Sequence, residues 1–198
     1  MKPVFFKELE LVVFPSVYEP SEDSFLLAEN VSLPRGATAL DLGCGSGIQG
    51  INAALLGASK VVFTDLDRNA LGNAEENTKL LPAGTSFEFR QGNLFKCLGK
   101  KEGFGAIIFN PPYVESKGKR FRDLDGGREG REVLDRFLKG FAKHLKKGGK
   151  CFFLQTSLNG EKKTAQILGE QGLSFEVLAR KRLFFEELLV FGAWKRKK

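Results

Sequence analysis

A single histidine, one tryptophan, one methionine and three cysteines are spread over 198 residues. The cysteines, Cys44, Cys97 and Cys151, are odd in number and far apart, and His144 is the only imidazole. Neither a disulfide framework nor a zinc site fits that set, so no metal is expected, and reduced thiols serving as small apolar side chains are. Long apolar runs are missing too: 105–109 and 151–154 fall far short of the ~20 residues that cross a bilayer. Lys7, Glu8 and Glu10 stand where a secretory leader needs an apolar stretch, which predicts a soluble, cytoplasmic chain with no membrane contact. Low-complexity linkers and internal repeats are also lacking, so one domain over 1–198 is expected.

What the chain does have is an ordinary globular balance, 42% hydrophobic and 28% charged, with 31 basic against 24 acidic side chains and a net charge of +7. Basic clusters at 117–122, 180–182 and 195–198 suggest contact with RNA or a ribosomal surface, although clusters in loops and at a terminus are more often solvated.

From Ala37 onward, β-branched and aromatic runs alternate with helical spacing, as in a βαβ chain. Strands are predicted at 39–42, 60–65, 86–91, 106–109, 151–155, 174–178 and 187–194. Helices are predicted where Ile48, Ile51 and Leu55 recur, from Asp67 as cap to Pro82 as stop, over Val133 to Phe141, and over 161–171. Ser21 is expected to cap a short helix ahead of them, with Glu22 and Asp23 in its first turn. The fold class is therefore α/β, Rossmann-like: a seven-stranded, mostly parallel sheet with one antiparallel strand at its edge and helices on both faces. Residues 1–36 form an N-terminal extension and capping helix, and 37–198 the core.

Between the first strand and the first core helix lies DLGCGSGIQG, residues 41–50. Glycines let such a loop turn sharply and approach a ligand at a helix N-terminus. Two patterns overlap there. Gly45, Gly47 and Gly50 satisfy GxGxxG, with Asp65 twenty residues after Gly45, which read alone suggests a nicotinamide dinucleotide. Asp41, Gly43, Gly45 and Gly47 instead resemble the DxGxGxG loop of S-adenosylmethionine-dependent methyltransferases. A carboxylate at Asp41 suits the cationic amino group of that cofactor and would repel a pyrophosphate.

After the fourth strand comes Asn110-Pro111-Pro112-Tyr113. The prolines fix φ, so the Asn110 amide and the Pro111 carbonyl form a rigid pair of acceptors at a strand's carboxyl end. An amino or amide nitrogen is a poor nucleophile because its lone pair is delocalised. Two acceptors on its N–H bonds orient it and offset the charge that grows during attack, while Tyr113 can stack on the flat group. A plain Asn-Pro turn is the bland alternative.

With VYEPSEDSFLL (17–27), GGREGREVLDRF (126–137) and FEELLV (185–190), these segments resemble the HemK/PrmC-like protein glutamine methyltransferases from about Val17 to the C-terminus. The likeness is greatest to their short archaeal and eukaryotic branch, which modifies the glutamine of the GGQ loop in class I release factors. It implies S-adenosylmethionine as cofactor, surrounded by Ser24, Asp41, Gly43, Gly45, Gly47, Asp65, Leu66, Asn93, Leu94 and Asn110, with Asn110, Pro111, Pro112 and Tyr113 as the catalytic segment. Ser24 replaces a usual threonine and Asn93 a usual aspartate, whose role at the adenine an asparagine oxygen can still fill. The resemblance also implies a release factor as substrate and a small zinc-binding activator subunit. That subunit is expected to pair with edge strand 86–91 through Phe87 and Phe89. Amino-group methylation of RNA or DNA, of the adenine N6 type, is the alternative. Cys44 is expected to fill space, His144 to lie on the surface, and most of the 19 phenylalanines to build core.

Overall fold

The computed structural model describes residues 4–115 and 126–196. A hairpin of β1 (Val4–Phe6) and β2 (Leu9–Leu11) precedes α1 (Glu22–Glu29), and the alternating core then runs β3 (Thr38–Leu42), α2 (Ile48–Leu55), β4 (Lys60–Asp65), α3 (Arg68–Thr78) and β5 (Ser86–Gln91). It continues with β6 (Phe104–Phe109), α4 (Glu132–Gly140), β7 (Leu145–Thr156), α5 (Glu161–Glu170), β8 (Leu173–Arg182) and β9 (Glu187–Lys195). Seven strands form one sheet in the order β5-β4-β3-β6-β7-β9-β8. The reading of seven strands with one antiparallel holds, but that strand, β9, lies one place in from the edge, antiparallel to both β7 and β8. The short 183–186 link brings β9 back between its neighbours.

Central strands such as Phe104–Phe109 are buried on both faces, which is why they read as continuous apolar runs. One face is covered by α4 and α5, where Phe109, Phe137, Phe141, Phe153 and Phe191 pack ring against ring: Phe109 and Phe137 lie 4.7 Å apart, Phe153 and Phe191 5.1 Å. The other face packs Leu27, Ala53, Val61, Phe63 and Ala74 beneath α1, α2 and α3. Much of the phenylalanine excess is core, as expected, while Phe5, Phe184 and Phe185 are exposed. Among the described residues no helix is long and apolar enough to cross a membrane.

Three local expectations fail. Ser21 occupies the position ahead of α1 but makes no side-chain capping bond; its carbonyl takes the Phe25 amide instead. His144 is buried, not on the surface. Its Nδ1 lies 2.9 Å from the Glu102 carbonyl and its ring stacks on Phe95 at 5.2 Å, because the chain must turn back there into β7. The β1–β2 hairpin was not predicted at all: each strand has three residues, too few for a visible alternation. Its C-terminal continuation is held by side-chain amides of α3, which imitate a sheet partner. Asn77 accepts from Val12 N at 2.8 Å and Asn73 from Phe14 N at 2.7 Å, while both donate to the Val12 carbonyl.

Register then positions the site. Leu42 pairs with Thr64 on one side and Phe109 on the other, so the chain leaves β3, β4 and β6 at one level. Gly43, Asp65 and Asn110 are therefore neighbours at the carboxyl edge of the sheet, where open α/β sheets bind ligands.

Candidate active site

The glycine loop turns through left-handed backbone at Gly45 (φ +52°) and Gly47 (φ +85°). A Cβ on Gly47 would lie 2.9 Å from Ala74 Cβ, so α3 packs against the loop there, whereas one on Gly45 would point into open space. That bare backbone is a cradle which a side chain would fill. The loop is pinned from two sides: Gly45 N donates to Asp65 Oδ2 at 3.1 Å, and Asn77 Nδ2 donates to the Ser46 carbonyl at 2.9 Å. Cys44 is buried within it, and burial beside Asp41 and Asp65 pushes its thiol well up, in keeping with a space-filling role.

Asp41 departs from the sequence reading. Its side chain is 1% exposed and its Oδ2 accepts the Gly50 amide at 2.8 Å, in the first turn of α2. Burial pushes its pKa up to about 8, with the Gly50 bond opposing and Asp65 adding. The carboxyl braces the loop from beneath through the Gly50 amide. Asp65 is also pushed up, chiefly by burial, although the Asp67, Gly45 and Leu66 amides counter that. Beyond it Leu66 is exposed, Asn93 half-buried, and Leu94 sits in left-handed backbone at φ +51°.

The 110–113 segment shows the arrangement that sequence reasoning missed. Asp23, 3% exposed, stands behind it: Oδ2 accepts from Asn110 Nδ2 at 3.0 Å and from the Tyr113 hydroxyl at 3.1 Å. Its Oδ1 accepts from the Tyr18 hydroxyl at 3.1 Å and from Ser24 N and Oγ at 2.6 and 3.1 Å. Both tyrosines are pushed up by burial and by the Asp23 charge, so their hydroxyls stay protonated donors. Ser24, expected at the cofactor, spends its hydroxyl on Asp23, while its carbonyl takes Gln49 Nε2 at 2.8 Å. In sequence, Asp23 looked like an ordinary acid in a helix's first turn; its partner lies 87 positions away.

Three buried side-chain atoms lack a hydrogen-bond partner among the described residues: Asn110 Oδ1, Gln49 Oε1 and Thr64 Oγ1. Buried polar atoms are rarely left so. They come from the 110–113 segment, from the start of α2 and from the end of β4, the elements that border the glycine loop. Bare glycine backbone, unpartnered polar atoms and an acid at the end of β4 fit a nucleoside-bearing cofactor with polar ends.

On the other side of Tyr113 a cavity of about 660 Å³ is lined by Tyr113, Glu115, Glu129, Leu158, Asn159 and Glu186, among others. Asn159 Nδ2 ties the Tyr113 carbonyl (2.9 Å) to that of Glu129 (3.2 Å), and Arg131 binds the Asn159 carbonyl, Thr164 and Asp135. The 126–131 segment thus borders the site, although among the described residues Arg128 points no side-chain bond into it. Of the basic clusters, 117–122 lies outside the described residues, while Arg180 pairs with Glu161 and Glu187 and Lys181 with Glu22.

Residues 13–185 match the family model described as methyltransferase small domain. A relative from Methanocaldococcus jannaschii, provisionally named a protein N5-glutamine methyltransferase, is 39% identical over 94% of this chain and 96% of its own. Among solved structures, the Mtq2–Trm112 complex of E. cuniculi, described as methylating the termination factor eRF1, superposes with TM-score 0.73 at 24% identity, over 91% of this chain and 99% of that one. A 16S rRNA N2 G1207 methyltransferase of T. thermophilus, solved with AdoMet and guanosine, gives TM-score 0.74 at 22% identity, over 98% of this chain and 50% of that one. The last two likenesses speak for the fold.

Proposed function

The chain belongs to the methyltransferase small-domain family, together with its N5-glutamine methyltransferase relative, and from that premise we propose that it methylates the side-chain amide nitrogen of a release-factor glutamine, using S-adenosylmethionine. Family membership removes the nicotinamide reading of GxGxxG. The sulfonium of the cofactor supplies an already activated methyl group. This chain's residues hold, orient and shield.

Asp65 would accept from the ribose hydroxyls, Gly43, Gly45 and Gly47 would lie along the cofactor, and Leu66, Asn93 and Leu94 would border its base. The observation that carries the reading is the Asn110 amide: its nitrogen is bound to Asp23, and its oxygen is buried with no partner among the described residues. A buried acceptor beside a rigid Pro111 carbonyl is a receptor for the two N–H bonds of a primary amide. Held there, the amide nitrogen meets the methyl in line, and positioning supplies most of the rate. The proton leaves after transfer, so no dedicated base is required.

A nucleic-acid amino group would suit the same acceptors. The cavity beyond Tyr113, however, carries Glu115, Glu129 and Glu186, which repel phosphates, and the basic residues at 180–181 are already paired with acids. A polypeptide loop suits that lining better. A small partner subunit, zinc-binding as the sequence resemblance implies, would add to β5, the edge strand next to β4. Incubation with methyl-labelled cofactor and either a release factor or bulk RNA and DNA, followed by mass-spectrometric mapping, tests the assignment. Label on a glutamine side chain is expected; label on nucleic acid alone would reverse it.

A further inference from the structure

We propose that Asp23 is the positioning residue of the reaction, locking the Asn110 side-chain amide in the one orientation that aims its oxygen at the substrate. The inference rests on the amide-methylation reading for its consequence, but not for its geometry.

A side-chain amide has two nearly isosteric orientations, and only its neighbours decide between them. Turned one way, Asn110 offers an acceptor to the substrate's N–H bonds; turned the other, it offers its own NH₂, and donor meets donor. A carboxylate is acceptor-only, so Asp23 Oδ2, 3.0 Å from Asn110 Nδ2, accepts the nitrogen and rejects the oxygen. The Tyr113 hydroxyl donates to the same oxygen at 3.1 Å, which ties both ends of the catalytic segment to one atom. Tyr18 and Ser24 hold the other oxygen, so Asp23 itself cannot rotate without losing three further bonds.

Asp23 is buried, yet no lysine or arginine is paired with it among the described residues. A buried carboxylate kept without a cation is costly unless it is well hydrogen-bonded, and here five donors converge on it. Its charge also acts through the amide. Behind Nδ2, it draws electron density toward Asn110 Oδ1, strengthening the acceptor that must offset positive charge on the substrate nitrogen. A residue serving only to begin α1 would need none of the bonds to Asn110 and Tyr113.

The test compares the wild-type chain with Asp23→Asn, Asn110→Asp and the exchanged double variant, in methylation of release factor and in NMR of the Asn110 side-chain amide. Asp23→Asn keeps the shape but lets the Asn110 amide turn over. We expect kcat to fall about tenfold to a hundredfold, as on removal of an orienting outer partner, with cofactor KM little changed, while the melting temperature drops because asparagine offers one acceptor oxygen where the carboxylate offers two. Asn110→Asp sets two carboxylates face to face and should lose at least as much. The double variant again faces one donor with one acceptor and should recover about tenfold over Asn110→Asp, a rescue that a purely structural role for Asp23 would not give. The Asn110 side-chain protons should exchange slowly in the wild type and faster in Asp23→Asn. An unchanged kcat in Asp23→Asn, or a double variant no better than Asn110→Asp, overturns the proposal. Slow exchange lost in Asp23→Asn, in a chain that methylates nucleic acid and not release factor, upholds the lock and overturns the substrate instead.

Discussion

Asp65 accepts the Gly45 amide on Oδ2 at 3.1 Å and the Asp67 amide on Oδ1 at 2.9 Å, so one carboxylate joins the glycine loop to the end of β4. Each oxygen keeps a further lone pair, which leaves the group able to take hydroxyls from above while bracing the loop from the side. Asp65→Ala removes both roles. Cofactor binding should weaken by about 1.5 to 3 kcal/mol, the range for hydrogen bonds to a charged group. Calorimetry showing unchanged affinity would remove Asp65 from the cofactor site.

Asn110 separates rate from cofactor binding. Asn110→Ala deletes the buried acceptor and should lower single-turnover methylation roughly a hundredfold to a thousandfold, as loss of one preorganised polar group at a reacting centre does. The sequence alone suggests that Asn110→Asp, which keeps an acceptor, would retain more activity. Asp23 at 3.0 Å changes that expectation: two facing carboxylates share a proton or repel, so the aspartate variant should fare little better than alanine above neutral pH. If alanine costs less than tenfold, Asn110 is a turn residue and the acceptor argument fails.

Asp41 yields a pH prediction. Its folded-state pKa of about 8 lies above the ordinary carboxyl value of 3.8. Below that ordinary value both states hold the proton; between the two values only the folded chain does, so stability from this group falls as pH rises toward 8 and then levels. Asp41→Asn keeps a carbonyl for Gly50 N and has no proton to lose. The melting temperature of the variant minus that of the wild type should therefore climb between about pH 4 and 8. A difference that stays flat over this range would mean that the carboxylate is already ionised in the fold and free to meet a cation.

The sheet was legible because central parallel strands buried on both faces advertise themselves as apolar runs, as 60–65 does, and because edge strand 86–91 alternates phenylalanine with charge; both were bounded to the residue. The glycine loop and the 110–113 segment were legible because each is continuous in sequence. Asp23 was not, because its meaning lies in Asn110 and Tyr113, brought to it only when β6 is laid beside β3. The burial of His144 and Asp41 was not legible for a related reason. A polar side chain predicts exposure until something buried satisfies it, and the Glu102 carbonyl and the Gly50 amide are tertiary partners.

Edge strand β5 carries the last prediction. Ser86 N donates inward to Ser59 O and Gly92 N to Asp65 O, so alternation along the strand sends the amides of Phe87, Phe89 and Gln91 outward. The rings of Phe87 and Phe89 are not the exposed surface expected of a docking strand: they pack on Phe63 at 6.1 and 5.0 Å. A partner would therefore meet backbone amides flanked by Glu88, Arg90 and Glu102, which bond one another. Phe89→Lys should destabilise the chain itself and is a poor probe of docking. Gln91→Pro deletes one outward amide at the end of the strand, where proline is tolerated on an edge. It also removes exposed side-chain bonds to Arg68 and the Leu66 carbonyl, worth about 1 kcal/mol each or less. Co-purification with a small partner subunit should drop at least about tenfold, while the isolated chain melts within a few degrees of wild type. Undiminished capture by Gln91→Pro would move the partner to the side-chain face of β5, or off this edge altogether.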